Sequence, residues 1–175
     1  MIVLGIETSC DETATTILEG SGDVTNAHFK ILGNALLSQA DLHAAYGGVY
    51  PNLAKREHQL NLVPLTLRAL TEAGLYEKEE GITPSQEEAL SEVREQSFKD
   101  SIKNFLYEVK TPEIDLIAVT HGPGLEPALW TGISFAAAIG KAWNIPVMGI
   151  DHMEGHIVSA LLEPVDKDYS LRPPK

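Results

Sequence analysis

Two histidines stand four residues apart in His152-Met153-Glu154-Gly155-His156. On a helix that spacing projects both imidazoles from one face, close enough together to chelate a single cation. Asp151 with Glu154 three residues on fits a capping arrangement, which puts the pair in the first turns of a helix entered directly from a strand. Such a position lies at the carboxyl end of a sheet strand, where open α/β sheets bind ligands. The positive end of the helix also favours neutral imidazole, the form that ligates metal. Met153 occupies the place where a zincin carries its glutamate, so the H-E-x-x-H hydrolase pattern is absent. A pair of this spacing also arises incidentally on surface helices, and only further groups aimed at the same point make it a site.

A second cluster is acidic. Residues 7–13, Glu7-Thr8-Ser9-Cys10-Asp11-Glu12-Thr13, gather three carboxylates and three hydroxyls between two apolar segments. Charge there is costly unless something binds it, and a tight turn between strands can cradle phosphate with backbone N–H groups and hydroxyls. A polar hairpin that merely caps a sheet accounts for the same residues. Cys10, with no histidine close in sequence, reads as a small buried filler rather than a nucleophile. His121-Gly122-Pro123-Gly124 feeds the start of a helix, where glycines permit close backbone approach to an anion. It matches neither the Walker loop nor the dinucleotide fingerprint, and a plain strand-to-helix turn explains it equally. Aromatic, imidazole and basic residues concentrate over 41–58, where Tyr46 and Tyr50 precede Lys55 and Arg56. They suit a phosphate or a base, or the two cations pair with Glu57 and Asp41 at the surface.

The elements that must position these groups follow from periodicity. Residues 2–6 form a near-continuous apolar run, the signature of a strand buried on both faces. Residues 14–18 return and residues 31–38 supply a third strand, so the chain begins as an antiparallel meander. Leu53, Leu60, Val63, Leu67 and Leu70 recur at helical intervals over 53–73, with Pro64 inside and Gly74 at the close. Residues 114–120 are strand-like, and 127–143 are helical, with Gly132, Ala136 and Gly140 forming a smooth stripe for a close neighbour. Residues 146–150 predict a short buried strand and 152–162 a helix. Strands joined through crossover helices are expected to be parallel. Residues 77–110 are dense in Glu, Lys, Gln and Ser, with Val93, Ile102, Phe105 and Leu106 sparse among them. They read as a charged surface insertion, a solvated helical hairpin.

Hydrophobic residues make up 43% and charged residues 22% of the 175, which excludes a disordered or fibrous chain. A domain of this length buries roughly 70% of its unfolded surface, so any metal it holds is functional rather than a folding staple. Thirteen Lys and Arg against twenty-five Asp and Glu give a net charge of −12. That disfavours non-specific adhesion to nucleic acid or an anionic membrane, and any contact with RNA must come from a local patch or a partner chain. The single cysteine excludes an intramolecular disulfide and, with no secretory signal at the start, points to the cytoplasm. The longest apolar tract, 133–150, is interrupted by Lys141, Asn144 and Pro146, so no membrane span is expected.

Four segments together resemble the TsaD (Gcp) family of tRNA N6-adenosine threonylcarbamoyltransferases: GIETSCDET at 5–13, HAAYGGVYPNLAKREH at 43–58, GPGLEPAL at 122–129 and HMEGH at 152–156. They occur in the family's order and approximate spacing, and the likeness spans the chain apart from 77–110 and the tail after Glu163. The resemblance implies an α/β fold, an actin-like ATPase (ribonuclease H-like) lobe with a mixed sheet, antiparallel first three strands and flanking helices. It implies one such lobe over residues 1–175, with the family's second lobe absent. The implied reaction moves the threonylcarbamoyl group from threonylcarbamoyl-AMP to N6 of the adenosine beside the anticodon in tRNA, with TsaB-like and TsaE-like proteins as partners. By position, His152 and His156 become ligands of one divalent metal ion, iron or zinc. Asp11 and Glu12 become catalytic residues lining the cleft, and Ser9, Gly122 and Gly124 border the substrate. The family's Ser-Gly-Gly-His-Thr segment and the aspartate that completes its metal site fall beyond Lys175 in its pattern. The isolated chain is therefore expected to hold metal weakly and to be inactive without a complementing lobe. One alternative is a non-catalytic TsaB-like scaffold, against which the histidine pair speaks. Another is a carbamoyltransferase acting on a small molecule, which usually carries further domains. A metallopeptidase would need a general-base glutamate at zincin spacing.

Overall fold

A computed structural model describes residues 1–23, 26–165 and 168–171. In chain order the elements are β1 (Ile2–Glu7), β2 (Glu12–Ser21), β3 (His28–Ser38), α1 (Ala40–Ala44), α2 (Pro51–Glu72), α3 (Pro84–Ala89), α4 (Gln96–Glu108), β4 (Leu116–Gly122), α5 (Glu126–Trp143), β5 (Val147–Asp151), α6 (His152–Ser159), β6 (Leu162–Val165) and β7 (Asp168–Leu171). A single 3-10 turn, Leu90–Glu92, joins α3 towards α4. The strands form one sheet in the order β5-β4-β1-β2-β3-β7-β6. β1, β2 and β3 run antiparallel, while β4 is parallel to β1 and β5 to β4. This is the mixed α/β sheet with flanking helices that the sequence predicts. The tail adds a hairpin, β6 and β7, on the far edge of β3.

The apolar run of β1 occupies the middle of the sheet, where Leu4 and Ile6 are buried. α2 packs on β2 and β3, α5 packs on β4, and the two helices touch each other. The buried face of α2 overlaps the predicted leucine stripe only in part. Leu70 is fully buried and Val63 and Leu67 pack against the core as predicted, but Ala54, His58, Leu62, Leu65, Thr66 and Ala69 also face inward and Leu60 is 57% exposed. Both sets obey the helical period, and the close approach of α2 to the sheet selects the face carrying two alanines. The predicted buried strand at 146–150 is also corrected. β5 has β4 as its partner on one side, its other edge pairs with no strand among the described residues, and Val147 and Met148 are 42% and 51% exposed.

The segment 77–110 is not the solvated hairpin its composition suggests. Phe98, Ile102, Phe105 and Leu106 on α4 are all buried in the main core, together with Val93. Phe105 lies 6.4 Å from Phe135 and 5.6 Å from Trp143 of α5, centroid to centroid. Positions 98, 102, 105 and 106 follow i, i+4, i+7 and i+8, an amphipathic face that the surrounding charges obscure. Those charges sit outside, where Lys103 pairs with Glu87, Lys110 with Glu77 and Lys141 with Glu88.

The glycine stripe on α5 works as predicted at two of its three positions. A Cβ on Gly132 would lie 2.3 Å from Thr8 Oγ1, and one on Gly140 would lie 2.3 Å from Val147 Cγ2. The end of β1 and the start of β5 therefore reach α5 backbone directly. Two stability measurements follow. Phe105→Ala should cost about 3–5 kcal/mol by chemical denaturation, where a solvated hairpin position would cost about 0.5 kcal/mol or less. Gly132→Ala should destabilise by about 1–3 kcal/mol through overpacking. Pairing it with Thr8→Ala should recover part of that loss, so the two changes must be non-additive in a double-mutant cycle.

Candidate functional site

The carboxyl ends of the three mutually parallel strands meet at one crevice of about 390 Å³. Glu7 closes β1, Thr120 lies near the end of β4, and Asp151 closes β5. With them, Ser9, Cys10, Asp11, Glu12, Ile150, His152, Gly155 and His156 line the opening. The two clusters singled out in the sequence thus face the same space. A larger groove of about 910 Å³ lies on the helical side around Trp130, and there Lys55 and Lys141 are neutralised by Glu95 and Glu88.

The histidines are placed by the cap on α6. The Asp151 carboxylate accepts from Met153 N at 2.8 Å and Glu154 N at 3.0 Å, starting the helix directly after β5. The Nε2 atoms of His152 and His156 then converge to 3.0 Å. Nitrogens bound to one ion at about 2.1 Å each stand about 3.0–3.4 Å apart for angles between square and tetrahedral. The pair therefore fits two adjacent positions around a divalent ion. Among the described residues no group of three His, Cys, Asp or Glu side chains is arranged to hold a metal.

Glu7 gives the pair its orientation. Its Oε2 lies 3.4 Å from His152 Nδ1 and accepts from Thr120 Oγ1, while its Oε1 accepts from Ser9 N at 2.5 Å. A carboxylate at Nδ1 places the proton there, which leaves His152 Nε2 with its lone pair directed at His156. Burial acts to raise the Glu7 carboxyl, but hydrogen bonds from Ser9 and Thr120 and the His152 imidazole outweigh it, and its pKa falls below the usual carboxylate range. Glu7 stays charged, and its charge is aimed at the imidazole.

The acidic turn is held through its backbone. Ser9 O accepts from Leu125 N at 2.7 Å, Cys10 O from His58 Nε2 at 3.0 Å, and Asp11 O from Gln39 N at 2.8 Å. Thr8 is buried, its hydroxyl donating to Ala128 O at 3.0 Å, and the carboxylates of Asp11 and Glu12 are left on the crevice wall. Cys10 is half-buried on that wall rather than buried as filler. Burial and the neighbouring Asp11 carboxylate push its thiol up, so it remains a thiol and not a nucleophile.

Of the residues expected to border a substrate, Ser9 lines the crevice and Gly122 and Gly124 do not. Gly124 instead packs against the turn, where a Cβ would come 2.6 Å from Ser9 O. Tyr46 and Tyr50 stack on one another at 5.6 Å and are exposed. Lys55 pairs with Glu95, across the chain, rather than with its sequence neighbours. Sequence reasoning placed Glu7 in the acidic cluster and His58 in the 41–58 cluster without giving either a partner, and it passed over Thr120 and Gln39. The signal for Glu7 is a charged residue terminating an otherwise apolar central strand.

The strand order and the carboxylate and imidazole crevice at the strand ends define a mixed α/β lobe with flanking helices and a polar crevice at the carboxyl ends of its parallel strands. Its sequence narrows this further: the profile of the family described as "TsaD: tRNA N6-adenosine threonylcarbamoyltransferase" matches residues 30–81 and 76–173, and the chain belongs to that family. Among solved structures, the chain is similar to one titled "YeaZ from Pseudomonas aeruginosa", with 16% identity and a TM-score of 0.43. That match covers 86% of this chain and 43% of the other, so the chain spans less than half the length of that structure.

Burial also holds the His58 imidazole below its ordinary range, against the raising effects of Cys10 O, Glu7 and Asp11. The unfolded chain therefore takes up a proton near pH 6.5 before the folded one does. Stability should fall as pH drops below about 6.5, and His58→Gln should remove this component, as read from denaturation curves at pH 7.5 and 5.5.

Proposed function

We propose that this chain provides the catalytic lobe for transfer of a threonylcarbamoyl group from threonylcarbamoyl-AMP to N6 of the adenosine beside the anticodon in tRNA. The observation that carries this reading is the convergence of His152 Nε2, His156 Nε2 and the Asp11 and Glu12 carboxylates on one crevice. Family membership supplies the reaction class.

In this reading His152 and His156 hold one divalent ion, iron or zinc, and Glu7 orients His152 for it. When bound, the ion supplies Lewis acidity that polarises the threonylcarbamoyl carbonyl. Ser9 and the turn around it border the adenylate. The N6 amine attacks the carbonyl carbon, a C–N bond forms, the bond to the phosphate oxygen breaks, and AMP leaves. Asp11 and Glu12 lie where a carboxylate can accept the proton released from the amine. Holding amine and carbonyl in one crevice converts a bimolecular step into an effectively unimolecular one. The remaining metal ligand is proposed to come from outside the described residues, and a TsaB-like and a TsaE-like protein are the proposed partners.

The test has two readouts. Cobalt or zinc titration should show one site that is lost in His152→Ala/His156→Ala and weakened about 10–100-fold in Glu7→Gln. Threonylcarbamoyl transfer to tRNA, assayed with the partner proteins present, should fall with the double variant and require tRNA. Undiminished metal binding or transfer in the double variant would refute the reading, and transfer to a small molecule without tRNA would favour a small-molecule carbamoyltransferase.

A further inference from the structure

We infer that His58 and Gln39 are positioning residues of the crevice, joined in a hydrogen-bond relay of fixed direction that ties the Cys10 carbonyl of the acidic turn to the backbone of Tyr50 in the exposed tyrosine loop. The inference stands on the relay itself, whatever ligand the crevice takes.

The direction of every bond follows from the two backbone groups at its ends. Cys10 O can only accept, so His58 Nε2, 3.0 Å away, carries the proton. A neutral His58 then has a bare Nδ1, which accepts from Thr13 Oγ1 at 2.7 Å and Gln39 Nε2 at 3.3 Å. With its amide nitrogen committed there, Gln39 presents Oε1 to His43 Nε2 at 3.1 Å, so His43 is protonated at Nε2. That leaves His43 Nδ1 to accept from Tyr50 N at 3.2 Å. Thr13, Gln39, His43 and His58 are all buried, and no solvent substitutes for a partner that moves away. Burial keeps His58 neutral, as the relay requires.

Gln39 is tied to the turn twice, directly through its own N–H on Asp11 O and indirectly through its side chain on His58, which holds Cys10 O. At the other end, Tyr50 N fixes a loop bearing two stacked, exposed tyrosines. His58 is the side chain hydrogen-bonded both to the acidic turn and to Gln39, at the head of the chain that leads to this loop. The turn that presents Asp11 and Glu12 and the loop that presents Tyr46 and Tyr50 therefore move as one unit.

The experiment is amide hydrogen exchange by NMR on the full chain, with two variants that each cut one arm. In His58→Gln the amide nitrogen takes the place of Nε2 and keeps the bond to Cys10 O, but the acceptor for Thr13 and Gln39 is lost. In His58→Asn the shorter side chain keeps an acceptor near Thr13 and Gln39 and cannot reach Cys10. We expect His58→Gln to speed exchange at Tyr50 N by about tenfold or more while sparing Leu125 N, and His58→Asn to do the reverse. Thr66→Val, which removes a buried hydroxyl elsewhere on α2, should accelerate neither selectively. Uniform acceleration tracking global stability in both variants would overturn the inference. A nitrogen-15 spectrum of the unaltered protein is an independent check that needs no variant. His58 and His43 should both appear as Nε2–H tautomers, and an Nδ1–H signal from either overturns the relay.

Discussion

Three consecutive backbone carbonyls, those of Ser9, Cys10 and Asp11, are each bonded by a different part of the molecule, and the crevice depends on that. Leu125 reaches in from the start of α5, His58 from the middle of α2, and Gln39 from the residue ahead of α1. A buried turn with unpaired carbonyls would be destabilised by each orphaned group. With all three satisfied the turn has one conformation, and its carboxylates have nowhere to point except the opening between the strand ends. Elements separated by more than a hundred residues in sequence thus cooperate in holding three residues of backbone.

The electrostatics of the opening follow from the same geometry. Glu7, Asp11, Glu12 and Asp151 all border a space of about 390 Å³. Of these, Asp151 is committed to the α6 N-terminus and Glu7 to Thr120, Ser9 and His152. Asp11, which neighbours the Cys10 thiol, and Glu12 line the same opening. The negative potential favours a cation at the two imidazoles, and the Glu7 carboxylate selects the His152 tautomer that can ligate one. A negatively charged substrate alone would be opposed by this wall, which is consistent with the proposed need for a metal ion between it and the carboxylates.

Packing on the helical side makes this precision possible. Thr8 sits against α5 because residue 132 has no side chain, and β5 sits against it because residue 140 has none. α4 closes the outside of α5 with Phe98, Phe105 and Leu106, so α5 is supported from both sides. A fully buried phenylalanine contributes about 1.5–3 kcal/mol relative to an exposed one, and α4 adds two of them. The segment that looks most like ornament in composition is a wall of the core that carries the site.

Much of the architecture was legible from periodicity alone. The apolar run of β1, the meander that follows, the helix after 126 and the cap at Asp151 are local signals, decided by residues within a few positions of one another. The i,i+4 histidine pair and the acidic turn were visible for the same reason. Where two patterns competed within one segment, local information failed. The leucine stripe of α2 and its alanine-bearing face have the same period, and the charges of 77–110 obscure the buried apolar residues among them, Val93, Phe98, Ile102, Phe105 and Leu106 included. The roles of Glu7, Gln39, His58 and Thr120 were invisible for a different reason, because each is defined by a partner between 19 and 145 residues away. The sequence by itself determined which elements form and which residue types can do chemistry. Only the tertiary structure decided that the strand ends converge, that the carboxylate of β1 meets the first imidazole of α6, and that buried polar groups pair in one direction, since hydrogen bonds across the sheet are fixed by packing and not by spacing along the chain.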